Sequence, residues 1–230
     1  MIDVRIKTSN HQLFVKSISV SRPYEGVKPL KMRGLEDSIT GNEKGDIYQD
    51  IMIESNPWIE LACEEAKVSV EIGGGPFGAV ILQIENETDE VIRYWKDHNH
   101  VTECNDPTAH AEISVIRSAC HELGVFNLGK ISKHESKLPQ KGATSHCEIY
   151  CSCEPCPMCY SAMMWARIPV LVFSATRYDA AQPGVDFLDE EVHNELKKDY
   201  KDRSTQVFRA LSQNALDAFE LWKRSNNTLY

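Results

Sequence analysis

Four cysteines fall within nine positions of the stretch "CSCEPCPMCYSAMMWARI", residues 151–168. Cys156 and Cys159 form a Cys-x-x-Cys pair on the first turn of an expected helix. Both side chains then share one face, and the positive end of the helix dipole lowers their thiol pKa. Such a pair serves zinc or redox chemistry equally well. A structural zinc site takes four protein ligands, often from two such pairs, and no second pair stands at the usual distance. Cys153 offers a rival pair in "CEPC", but a thiol at a strand-to-loop position points elsewhere. Cys151 and Cys153 read as strand positions sharing one face, near the site but not ligating. The deciding stretch is "HAE", residues 110–112. His110 with Cys156 and Cys159 makes three protein ligands, the count of a catalytic zinc that keeps its fourth position for water. Glu112 is then the natural proton carrier. Residues i and i+2 do not face each other in a helix. The metal must therefore lie off the helix's N-terminal end, where the longer glutamate can reach across.

The surrounding chain supplies elements to hold these groups. "NPWIELACEEAKVSVEI" (56–72) opens with a capping Asn and a first-turn Pro and predicts a helix. "GGGPFGAVILQIEN" (73–86) is a glycine loop entering a strand, and "EVIRYWKDHN" (90–99) is its hairpin partner. "DPTAHAEISVIRSACHELG" (106–124) predicts a second helix, capped by Asp106, started by Pro107 and stopped by Gly124. Residues 129–146 read as a polar surface loop. Strands are expected at 147–153, 170–176 and 205–211, and helices at 156–167, 189–200 and 214–225. The passage from 147 to 176 should be a right-handed parallel β–α–β crossover. Upstream, residues 12–20 alternate weakly, as a strand does, and 35–46 read as a linker. Residues 1–50 thus form an N-terminal extension of unassigned role, ahead of a domain over 51–230. Alternating strands and helices argue for an α/β sheet covered on both faces.

Composition narrows the function classes. The 230 residues carry a formal net charge of −9, which counts against a protein built mainly to grip a phosphate backbone. No run of 18 or more apolar residues exists to span a membrane, and the N-terminus has no apolar secretory signal. Eight cysteines without such a signal read as thiols or metal ligands of a reducing, cytoplasmic compartment.

His-x-Glu followed by Pro-Cys-x-x-Cys is the pattern of zinc-dependent nucleobase deaminases. The chain resembles the cytidine deaminase-like superfamily over about residues 55–230, and within it the bacterial guanine deaminases most narrowly. "GGPFGAV" (74–80), "NDPTAHAE" (105–112), "SCEPCPMC" (152–159), "WAR" (165–167), "DAA" (179–181) and the tail "FELWKRSNNTLY" (219–230) carry the likeness. "NDPTAHAE" is shared with tRNA adenosine deaminases. The resemblance implies a three-layer α/β/α sandwich with a central mixed five-stranded sheet. It implies a Zn2+ cofactor held by His110, Cys156 and Cys159, with Glu112 shuttling protons during hydrolytic deamination of a free purine, guanine above all. It further implies that Phe77 stacks on the purine and that Asn99, Ala111, Trp165 and Tyr230 help to bind it. A homodimer is expected, in which a swapped C-terminal segment brings Trp222 and Tyr230 to the partner's site.

One departure stands out. Such guanine deaminases carry a second acid in a "GFDD"-like loop, and here the loop reads "GVDFLDEE" (184–191). Asp186 takes the first acidic place and is the expected second catalytic acid. Phe187 stands at the second acidic place, and Asp189 and Glu190 are the alternatives. The loop leaves open another aminated heterocycle or a nucleoside as substrate. A tRNA adenosine deaminase and a non-catalytic zinc or redox module are the rival readings. The first needs a basic RNA-contacting surface, and the second has no use for Glu112.

Overall fold

Residues 47–230 are described by the computed structural model of the chain. Apart from residues 47–50, the N-terminal extension, with its expected strand at 12–20 and linker at 35–46, lies outside the described residues. Helix α1 (Pro57–Glu71) begins as its sequence dictates. The Asn56 side chain accepts hydrogen bonds from the amides of Trp58 and Ile59 at 3.0 and 3.2 Å, and Pro57 fills a position that needs no donor. An antiparallel hairpin follows, β1 (Gly78–Glu85) and β2 (Val91–His98), with Gly78 opposite His98. Next come α2 (Val101–Cys104), α3 (Ala111–Leu123), β3 (Ile131–Ser132), β4 (Thr144–Cys153), α4 (Pro157–Trp165) and β5 (Val170–Ala175). The chain ends with α5 (Arg177–Ala180), α6 (Asp189–Lys197) and α7 (Gln213–Arg224). None of the helices among the described residues is long and apolar enough to cross a membrane.

The five strands form one mixed sheet in the order β2-β1-β4-β3, with β5 also on β4. β1 runs antiparallel to β2 and β4, and β5 runs parallel to β4, as expected for the passage from 147 to 176. Successive side chains of a strand point to opposite faces, and the sheet uses both. Ala79 and Ile81 of β1, with Cys147, Ile149 and Cys151 of β4, pack on α3 and α4. Val80, Leu82 and Ile84, with Tyr150, pack on Trp58, Ile59 and Ala62 of α1. The result is the expected α/β/α arrangement. Every residue of β1 is buried, as a strand covered on both faces requires.

Three expectations need correction. Helix α3 starts at Ala111, not at Pro107, and its N-cap is His110. Asp106 caps a turn instead: its carboxylate accepts from the amide and hydroxyl of Thr108, at 2.8 and 2.7 Å. The polar segment 129–146 is part of the sheet at both ends. Ile131 is fully buried in β3, β4 begins at Thr144, and buried Gln140 joins Gln83 and Ser145 in a hydrogen-bonded network. Residues 205–211 are not a strand. They are exposed, and a strand needs a neighbouring edge to bond with, which none of the described residues offers there.

The close approach of α1 to the sheet rests on one small residue. A Cβ on Gly78 would fall on the backbone of Ala62 and Ala66 in α1. Overpacking of this kind costs about 1–3 kcal/mol. Gly78→Ala should therefore lower the melting temperature by several degrees in a thermal unfolding scan, and an unchanged melting temperature would show that α1 is free to move away.

Candidate active site

Two helix N-termini meet at one point. His110 caps α3 and Cys156 caps α4, both in extended conformation, and neither uses its side chain as a helix cap. The 106–110 turn delivers His110: Ala109 donates to the Asp106 carbonyl, and the His100 amide donates to the Ala109 carbonyl. His110 Nδ1 lies 3.6 Å from Cys156 Sγ and 3.5 Å from Cys159 Sγ. Tetrahedral coordination with bonds of about 2.3 Å to sulfur and 2.0 Å to nitrogen sets a sulfur–nitrogen edge of about 3.5 Å. The three donors therefore fit a zinc ion without rearrangement. The placement also satisfies the spacing problem, because the ligand stands outside the helix and Glu112 inside its first turn.

The protonation of these groups follows from their closeness. Cys156 is pulled down to about 4, first by the hydrogen bond from Cys159 and then by that from His110. Cys159 is pushed far up by its bond to the Cys156 thiolate and by burial. The Cys156 thiolate likewise raises His110. Glu112 is 7% exposed, and burial pushes its carboxyl up to about 7.

Asn99 and Phe77 are held together one residue from His100, whose amide bonds the turn that delivers His110. The Asn99 amide donates to the Phe77 carbonyl at 3.1 Å. Asn99 is 7% exposed, and its Oδ1 accepts from the Val101 amide at 3.2 Å, which leaves its Nδ2 donors for other partners. Ala111 is fully buried with its side chain in the core, so only its first-turn amide remains to meet a ligand.

Residues 52–175 match the family model of the cytidine and deoxycytidylate deaminase zinc-binding region. The chain belongs to that deaminase family. It is 36% identical to the guanine deaminase of Bacillus subtilis over 74% of its own length and 91% of the relative's. It is 35% identical to a tRNA-specific adenosine deaminase of Aquifex aeolicus, over 61% of this chain and 80% of that one. The X-ray structure of the Bacillus subtilis guanine deaminase superposes with a TM-score of 0.61 at 33% identity, covering 77% of this chain and 99% of that one. The fold is thus shared with a guanine deaminase covered along almost its whole length.

The deaminase's departure loop is ordered in an informative way. Asp186 is exposed, and its carboxylate accepts from the Gly184 amide at 3.3 Å. Glu190 is bound to Arg177 Nε at 2.6 Å. Asp189 is the first residue of α6. Burial raises its carboxyl, the Cys156 thiolate raises it further, and His110 opposes them. Phe187 packs edge-on against Phe77 with ring centroids 4.8 Å apart, a contact the sequence did not signal. Trp165 and Tyr230 are about two-thirds exposed and lie against each other at 6.1 Å, away from the buried donors. Cys151 is packed in the core, and Cys153 donates to the Thr176 carbonyl at 3.6 Å. A cavity of about 360 Å³ lies across α4, lined by Tyr160, Phe173 and His193 among others, and includes neither Glu112 nor the three donors.

Glu154 fixes the loop that presents Cys156. It accepts from Arg177 Nη1 at 2.6 Å, from the Arg177 amide at 3.0 Å and from the Tyr48 hydroxyl at 2.7 Å. Residues that orient metal ligands typically cost 10- to 100-fold in affinity when lost. Glu154→Ala should weaken zinc binding by about tenfold or more in competition with a chelator, and wild-type affinity would remove it from this role. Zinc must also displace the protons held by Cys159 and His110. Its affinity should therefore rise with pH between about 6 and 8 in the same assay, and a flat profile would mean that those protons are absent.

Proposed function

We propose that this deaminase converts guanine and water to xanthine and ammonia. The observation that carries this is a buried glutamate beside a His-Cys-Cys donor set, with Asn99 and Phe77 at its edge, in a chain matched to a guanine deaminase over 91% of that relative's length. His110, Cys156 and Cys159 hold the metal. The chemistry a zinc ion supplies when bound is a water acidified to a pKa of roughly 7. Phe77 stacks on the purine, its own ring braced by Phe187. Asn99 donates from Nδ2 to a ring acceptor, and the Ala111 amide offers a further donor. Glu112 accepts a proton from the attacking water and passes it to the ring and then to the departing amine. A carboxyl held near neutrality gives and takes a proton with equal ease. Asp189, rather than Asp186, serves as the second acid, because its protonation responds to Cys156 and His110, whereas Asp186 is exposed and Glu190 is bound to Arg177.

The protein acts as a homodimer whose C-terminal segments cross. Helix α7 buries none of its residues, and Phe208, Phe219 and Tyr230 are exposed around it. In the dimer Trp222 and Tyr230 reach the partner's pocket and Trp165 packs beside them. The eight cysteines are all free thiols, in keeping with a reducing cytoplasmic setting and a role in purine metabolism. Net charge −9 disfavours tRNA as substrate.

Ammonia release from guanine, adenine, cytosine, guanosine, cytidine and adenosine tests the reading. Guanine should be the active member. Glu112→Gln should keep its zinc and lose about 10²- to 10⁴-fold in rate, and near-normal turnover would refute its role. Asp189→Asn should impair turnover far more than Asp186→Asn. Full-length protein eluting as a monomer on a sizing column would refute the crossed dimer.

A further inference from the structure

A second set of ligating side chains lies at the far end of β2 and has no part in the reaction above. The sequence "KDHNH", residues 96–100, packs one carboxylate and two imidazoles around Asn99. Asp97, His98 and His100 each offer a donor atom, and the three lie within 4.8 Å of one another. Asp97 is buried, while the His98 and His100 side chains are 17% and 22% exposed, so the group is sheltered but open to solvent on one side.

His100 is already held in the manner of a metal ligand. Its Nδ1 meets Glu103 Oε2 at 2.8 Å and its Nε2 meets Asp97 Oδ1 at 2.7 Å. Glu103 on Nδ1 fixes the ring, and a metal would take Nε2 in place of the proton that now bonds to Asp97. His98 is the unsettled member. Its Nδ1 lies 3.8 Å from Glu65 Oε2 and 4.0 Å from Asp97 Oδ1, both too long for a hydrogen bond. Its Nε2 is buried with no hydrogen-bond partner among the described residues. Nδ1 is the nitrogen that faces Asp97, and a metal taken there gives the ring a short partner. The two rings lie 4.4 Å apart at 35°, both beside Asp97.

Metal–ligand bonds of about 2.0–2.1 Å set donor–donor edges of roughly 3.0–3.4 Å. The edges present, 2.7 Å from His100 to Asp97 and 4.0 Å from His98 to Asp97, bracket that range. A small rotation of His98 closes the set. The local charge favours a cation as well. Asp97, Glu103 and Glu65 face this group, and Lys96 is neutralised by Glu65 at 2.5 Å.

We propose that Asp97, His98 and His100 form a second divalent-metal site, built from nitrogen and oxygen donors, that binds Zn2+, Co2+ or Ni2+. Two imidazoles and a carboxylate suit these ions rather than Ca2+ or Mg2+. The bound ion clamps the strand end that carries Asn99, whose backbone is otherwise held by Phe77 and Ser69.

Titration of the full-length, metal-free protein with Co2+ separates the two sites. A thiolate site gives an intense sulfur-to-cobalt absorption, and a His-carboxylate site does not. Wild-type protein should bind two ions per chain by equilibrium dialysis, with the thiolate band complete after the first. His98→Gln should keep the band and bind the second ion at least about tenfold more weakly. Cys156→Ala should lose the band and still bind one ion. Asp97→Asn, close to isosteric, repeats the test should His98→Gln fail to fold. Wild-type protein saturating at one ion, or a second ion bound equally well by both His98→Gln and Asp97→Asn, would overturn the proposal.

Discussion

The site depends on two helices that begin at the same place. His110 and Cys156 are far apart in the chain, yet each occupies the residue just before a helix, with an extended backbone. An N-cap side chain points past the helix end rather than along its flank, so two such residues can face one another across a gap. The core achieves this by packing α3 and α4 on the same face of β1 and β4. Moving either helix start by one residue would turn its ligand about 100° around the axis and break the set. The turn capped by Asp106 matters for this reason, although it carries no reacting group. It stops a helix from forming before His110.

The same convergence sets the electrostatics. Two positive helix ends meet at a buried point, which favours negative charge there. The Cys156 thiolate answers that demand. Two thiolates balance a divalent cation in charge and leave His110 neutral. Glu112 is then the group whose charge is free to change during turnover. Its burial makes the change nearly symmetrical around neutral pH, and its short tether at the first turn of α3 keeps it beside the two sulfurs.

Much of this was legible in the sequence, because it is written in local rules. Asn56-Pro57 gave a helix start, Gly124 a stop, and the succession of strands and helices a sheet covered on both faces. The donor triad was legible because its residue types are rare and their spacing is specific. What failed was read from local signals that tertiary contacts overrule. Asp106-Pro107 has the look of a helix start, but Thr108 competes for the Asp106 carboxylate and makes a turn. The 129–146 segment is polar on average, yet Gln140 and Ser145 are buried because they satisfy one another and Gln83. "DHNH" read as the end of a strand. The return of Glu103 on α2, which holds His100, depends on a helix too short to announce itself.

The loop at 184–191 shows how an altered motif can keep a function. Where the resemblance calls for a carboxylate, Phe187 turns onto Phe77 and closes an aromatic pair at the mouth of the pocket. A charge at that place would have to be desolvated against Phe77, whereas a second ring packs there at a gain of about 0.5–1.5 kcal/mol beyond simple burial. The acid is regained two residues later. Asp189 opens α6, where the helix end favours its anion, while burial and the Cys156 thiolate favour its protonated form. These opposing influences leave the carboxyl able to exchange a proton without leaving the pocket. Asp186 is exposed, and its carboxylate is spent on the amide of Gly184. The aromatic replacement narrows the space in front of Phe77, which favours a flat bicyclic base over a nucleoside carrying its sugar.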